Sequence, residues 1–96
     1  MTAGTEGTGG PPEAGFDYPS EYTYKIMGLA ADDFPEHARR LVASVVAEVP
    51  AEEVTVRSSA GGKYLSVSVT VVLHSEQERV AVYAALKRDG RVVYAL

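Results

Sequence analysis

The chain contains no cysteine and no tryptophan. The first absence excludes disulfides, thiolate zinc sites and thiol nucleophiles together. Histidine is scarce: only His37 and His74 occur, on different predicted elements, whereas a metal site takes three or four ligands. Neither a metal nor a cofactor is therefore expected. There is no surplus of positive charge, with 9 Lys and Arg against 13 Asp and Glu, a net charge of -4 and a pI near 5.0. Such a balance offers no general attraction for nucleic acid or anionic lipid. Apolar runs such as Val71-Val72-Leu73 fall far short of the ~18 residues that cross a bilayer. The first residues carry neither a basic region nor an apolar one, as a secretory signal would. A cytoplasmic domain with no membrane partner is expected.

What is present suits one globular domain: 96 residues, 46% of them hydrophobic. Residues 1–17 hold five of the nine glycines and two of the five prolines. Apart from Met1, their one bulky apolar side chain is Phe16, too little to offset the entropy of ordering. They are read as a flexible tail, and 18–96 as the folded domain. Without Glu6, Glu13 and Asp17, that domain keeps 10 acids against 9 bases and is nearly neutral.

Along the domain, Tyr22, Tyr24 and Ile26 alternate with Thr23, Lys25 and Met27, a period of two that predicts a strand up to Gly28. Asp33, Pro35 and Glu36 look like a capped helix start. Ala38, Leu41, Val42, Val45 and Val49 follow at helical spacing until Pro50. A strand over 53–58 and a longer one over 64–74 flank Ala60-Gly61-Gly62-Lys63, a hairpin signal. In the longer strand, Leu65, Val67, Val69, Val71 and Leu73 share one face. Ser66, Ser68, Thr70, Val72 and His74 share the other, with Tyr64 at its edge. Ser75 and Glu78 form a second capping box, and a helix to about Arg88 is expected to turn Val80, Tyr83, Ala84 and the Lys87 stem inward. Gly90 ends it, and Arg91 to Leu96 predicts a last strand.

The order β-α-β-β-α-β, with right-handed crossovers, predicts an α+β, ferredoxin-like sandwich. It comprises a four-stranded antiparallel sheet in the order four-one-three-two with two helices on one face. The opposite face is then open and carries Lys25, Arg57, Ser66, Ser68 and Thr70.

Two segments carry a resemblance. Tyr22-Thr23-Tyr24-Lys25-Ile26-Met27-Gly28 is similar to the "FTYKVMG" signature of the YbeD-like proteins, and Ser58 to Val71 resembles their "SSKGxYxSVSVTV" segment. The match spans about 18–96, and it departs at the turn, where Lys63 falls later than usual. The resemblance implies a small bacterial protein of uncharacterised function whose ferredoxin-like fold is similar to ACT-type regulatory domains. Those domains bind small molecules and pair through their sheets. By that analogy Gly28, Leu29, Asp32 and Asp33, between the first strand and the first helix, form the candidate ligand site. The two aspartates there favour an amino group over an acid. A non-enzymatic regulatory or sensing module is expected, and an adaptor that binds another protein through a sheet face or edge is the alternative. For the open face the choice lies between a solvated surface and a surface for a partner, a second copy included.

The remaining candidates are weak by their residues. Ser58 to Lys63 lacks the GxxxxGK[ST] spacing, and a strand follows it where a phosphate loop needs a helix. No nucleophile elbow or triad pattern exists. The middle strand offers little on which a base could stack.

Overall fold

A computed structural model describes residues 17–47 and 49–96. The expected tail, but for Asp17, and Glu48 of the expected first helix lie outside the described residues. The element order is β1 (Ser20–Leu29), α1 (Phe34–Ala43), β2 (Val54–Ser58), β3 (Tyr64–Leu73), α2 (Glu76–Arg88) and β4 (Val92–Ala95). All strand pairs are antiparallel, and the sheet runs β2-β3-β1-β4, the predicted order.

β1 and β3 pair over their whole length, from Ser20 opposite Leu73 to Leu29 opposite Tyr64. Because side chains alternate across a strand, this register places every second residue of both strands under the helices. Tyr24, Ile26, Val67, Val69, Val71 and Leu73 are buried there. Phe34, Ala38 and Val42 of α1 and Val82 and Leu86 of α2 close the core over them. Tyr24 needs a partner for its hydroxyl in that setting and donates to the Arg79 carbonyl at 3.2 Å. Burial pushes its pKa up to about 12.

The β2–β3 hairpin turns at Gly61 (φ 85°) and Gly62 (φ 73°), in the left-handed region that glycine enters without steric cost. Ser59 clasps the hairpin: its N–H donates to the Tyr64 carbonyl at 2.9 Å and its Oγ accepts from the Tyr64 N–H at 3.0 Å.

Three local expectations are corrected. First, α1 stops at Ala43, although the helical spacing reaches Val49. Ser44 Oγ donates to the Leu41 carbonyl at 2.7 Å, a local bond that competes with helix continuation. Val46 and Val49 still pack into the core from an irregular segment, held by Arg39 donating to the Val49 carbonyl at 3.0 Å. Second, Asp33 does not cap α1. Its backbone is αR (φ -94°, ψ 0°), where a capping residue is extended. Glu36 turns to Arg39 and Arg40. At α2, by contrast, Ser75 is extended and its Oγ accepts from the Glu78 N–H at 3.1 Å.

Third, α2 is rotated from its expected phase. Val82, Ala85 and Leu86 face the core, while Val80 and Tyr83 are 53% and 40% exposed. The helix carries two apolar stripes, and sequence spacing alone could not rank them. Leu86, the largest aliphatic side chain in the helix, is fully buried and belongs to the inward one.

Candidate functional site

Gly28 and Leu29, expected between the first strand and the first helix, instead close β1 itself, paired with Leu65 and Tyr64, while Asp32 and Asp33 lie in the turn that leads into α1. Phe34, fully buried, lays its ring against the Gly28 backbone. A Cβ built on Gly28 would lie 2.4 Å from Phe34 Cζ and 2.6 Å from the Arg91 carbonyl oxygen. The space beside this glycine is therefore filled by the chain's own ring and backbone.

Asp33 accepts two bonds from the Arg91 guanidinium, at 2.8 and 3.1 Å, the fork geometry that arginine offers a carboxylate. That bond holds the Asp33 carboxyl below its ordinary pKa. The guanidinium carbon sits 5.6 Å from the Phe34 ring centroid, a cation–π contact. Next to it, His37 Nε2 and Asp89 Oδ2 are 2.9 Å apart, and Asp89 Oδ1 accepts from the Arg91 N–H at 2.9 Å. Burial alone would raise the Asp89 pKa; the bonds from His37 and the Arg91 backbone outweigh it and hold it down. Together these residues clasp the start of α1 to the loop before β4. Asp32 and Leu29 remain exposed beside the clasp.

On the open face, the ladder fixes neighbours by register. Thr55, Ser68 and Lys25 form one row across β2, β3 and β1; Arg57, Ser66 and Met27 form the next. Met27 lies opposite Tyr94, which extends that row onto β4. Thr70 pairs with Thr23, and their Oγ1 atoms are hydrogen-bonded at 2.8 Å. No helix covers Ser66 and Ser68; they are half-buried by their own strands, while Lys25 and Arg57 are exposed. Neither cation forms an ion pair among the described residues. Val72 is exposed on this face, as its strand parity predicts, and Tyr94, which sequence alone does not single out, is exposed on it too. The face of Tyr94 is set by the β1–β4 register, in which it stands opposite Met27.

A groove of about 650 Å³ lies where β3 runs beyond β2, since the β2 pairing ends at Val54 opposite Val69. Val46, Pro50, Val71 and Val72 line it with Glu21, Glu53, His74 and Glu78. The two histidines stand apart, His37 on Asp89 and His74 near Glu78. Among the described residues no three His, Asp or Glu side chains are grouped to hold a metal ion. None of the described helices is long and apolar enough to cross a membrane.

The fold and this surface define a small α+β, ferredoxin-like domain with one sheet face open. Residues 13–96 match the family described as "Protein of unknown function (DUF493)". The chain belongs to that family, which carries the YbeD-like resemblance read from the two strand segments. The UPF0250 protein RSc0326 of Ralstonia nicotianae is 36% identical over 86 residues, spanning 90% of this chain and 89% of the relative. A UPF0250 protein of a Janthinobacterium species is 35% identical, spanning 90% and 94%. The solution structure of protein HP0495 from H. pylori matches with a TM-score of 0.65 at 19% identity, over 93% of this chain and 98% of that one. That likeness supports the fold.

Proposed function

We propose that the domain is a non-catalytic interaction module whose open sheet face receives another protein. The observation that supports this best is the face itself. A central strand of Ser66, Ser68 and Thr70 allows close approach, and the unpaired cations Lys25 and Arg57 flank it. A partner surface of small side chains with carboxylates set to meet Lys25 and Arg57 fits it. Strands of ten, ten, five and four residues, about 4.8 Å apart with a rise of ~3.3 Å per residue, span roughly 460 Å². That is below the ~800 Å² per partner of a standard stable interface, so the interaction is transient. The test is substitution on the face. Ser68→Arg abolishes capture of a defined partner and leaves the melting temperature within about 2 °C. A partner retained equally by the variant refutes the reading.

A second reading, an ACT-like regulatory module that senses a small molecule, is favoured by the groove at the end of β3. Its 650 Å³ lies within the ~300–1,000 Å³ of small-molecule sites, and its apolar floor with three carboxylates suits an apolar amine. The end of β1 at Gly28 supports sensing less, because Phe34 and Arg91 already occupy the glycine and the Asp33 carboxylate. A thermal-shift series with apolar amines and amino acids separates the sites. A rise in melting temperature lost in Glu53→Gln supports the groove; no shift with any of them refutes sensing there.

A further inference from the structure

The outward stripe of α2 is unusual for a small monomeric domain. Glu76, Val80, Tyr83 and Lys87 recur at spacings of four, three and four, so they form one line along the helix. The line does not face the core: Val80 is 53% and Tyr83 40% exposed. It runs beside the free edge of the sheet, where Tyr83 and Lys87 border a cleft of about 160 Å³ against Val92 to Ala95 of β4. The cleft is open to the surface, mixed in polarity, and about the volume of one ring-sized side chain. The edge strand Val92-Val93-Tyr94-Ala95 has no charge and no proline, the devices that normally keep an edge from pairing. Val93 and Tyr94 are more than half exposed.

The order of chemistry along the stripe selects its occupant. It reads acid, aliphatic, aromatic, base. Set antiparallel against itself across a twofold axis, it places Glu76 opposite the second copy's Lys87 and Val80 opposite the second copy's Tyr83. The same holds in reverse, which is the condition an isologous interface must meet. The helix ends reinforce the match, with Glu76 and Glu78 in the first turn and Lys87 and Arg88 in the last.

We infer that α2 and the adjoining β4 edge bind a second copy of this chain, α2 against α2 antiparallel, with one side chain from each copy filling the other's cleft. Within its own chain Glu76 also pairs with Arg79 and accepts from the Tyr18 hydroxyl at 2.7 Å. Lys87 lies 5.5 Å above the Tyr83 ring centroid. Both charges are thus held on the stripe. This surface meets the open face only at β4, through Tyr94, and is tested by variants on α2, so its failure is distinguishable from failure of the interaction-module reading.

Sedimentation velocity of the full chain from 10 μM to 1 mM tests it, with circular dichroism confirming the fold of every variant. The wild type shows a concentration-dependent dimer that weakens at 500 mM NaCl. Val80→Asp, at an exposed site, removes the dimer. Lys87→Glu sets two like-charge pairs across the axis and weakens association about tenfold. It also inverts the salt response, because added salt now screens repulsion. Val56→Asp on the opposite sheet edge leaves the dimer unchanged. A wild type that stays monomeric at 1 mM overturns the inference. So does a dimer lost in Val56→Asp and kept in Val80→Asp, or one whose salt response Lys87→Glu does not alter.

Discussion

Gly28→Ala isolates the close approach between β1 and the N-terminal end of α1. Glycine in a strand ordinarily weakens it, and replacing it by alanine where the backbone allows gains about 0.4–1 kcal/mol through the unfolded chain. Gly28 is not in the positive-φ region, so its backbone would accept alanine. Packing decides the sign. The added Cβ would stand 2.4 and 2.5 Å from two Phe34 ring carbons and 2.6 Å from the Arg91 carbonyl oxygen. Real contacts of this kind lie near 3.5 Å or beyond. Phe34 cannot swing away, because it is fully buried and lies under the Arg91 guanidinium. The Arg91 oxygen belongs to the backbone entering β4 and moves only if the β1–β4 pairing shifts. Overpacking of this kind costs about 1–3 kcal/mol, more than the entropic gain. The net expectation is a loss of about 1–2 kcal/mol. For a domain of this size that corresponds to a fall in Tm of roughly 5–15 °C. Chemical denaturation followed by circular dichroism reads it directly. In a double-mutant cycle, Phe34→Leu relieves the ring contacts but not the carbonyl contact, so the two losses are less than additive. An alanine variant as stable as the wild type, or more so, refutes the argument.

Two further outcomes follow from the same packing. Val82→Ala, which empties a fully buried site, costs about 1.5–3 kcal/mol, whereas Val80→Ala stays within about 0.5 kcal/mol of the monomer's stability; equal losses in urea titrations would reject the observed phase of α2. The carboxyls of Asp89 and Asp33 are held below their ordinary pKa, so their contribution is present above the unfolded value of about 3.9 and lost as pH falls through the folded one. Below about pH 4 the wild type therefore loses stability more steeply than Asp89→Asn, and parallel profiles from pH 5 to pH 2 would contradict the clasp.

How much of this was legible depended on the length of each pattern. β3 alternates over ten residues, and each added pair makes a slip in phase costlier, so Val67 and Val69 were placed inward and Ser66 and Ser68 outward from sequence. Strand order followed from connection handedness. The phase of α2 did not, because Val80/Tyr83 and Val82/Leu86 are both helical stripes and only the sheet beneath chooses between them. The end of α1 was hidden for a related reason. Val46 and Val49 keep helical spacing and are buried, yet the backbone that carries them is not helical. The pairs Asp33–Arg91 and His37–Asp89 join residues 58 and 52 positions apart, a separation no local pattern encodes. Gly28 was legible as special but open in meaning. A glycine ending a strand serves a ligand or a neighbouring ring equally well, and Phe34 settles its packing role only in three dimensions.

The clasp also constrains where a partner can act. Phe34, Asp33, His37, Asp89 and Arg91 tie the start of α1 to the segment entering β4, and β4 pairs with β1 from Ile26 opposite Ala95. The open-face row Arg57–Ser66–Met27–Tyr94 crosses that same strand. A partner drawing on Tyr94 would therefore pull on β4, and β4 is held at its entry by Arg91 and at its end by the Lys25–Leu96 backbone pair. The helix side of β4 borders the α2 stripe. The two proposed surfaces thus share one short edge strand. Coupling between them is carried by displacement of β4 or not at all, since the rest of the sheet is locked by the full-length β1–β3 ladder.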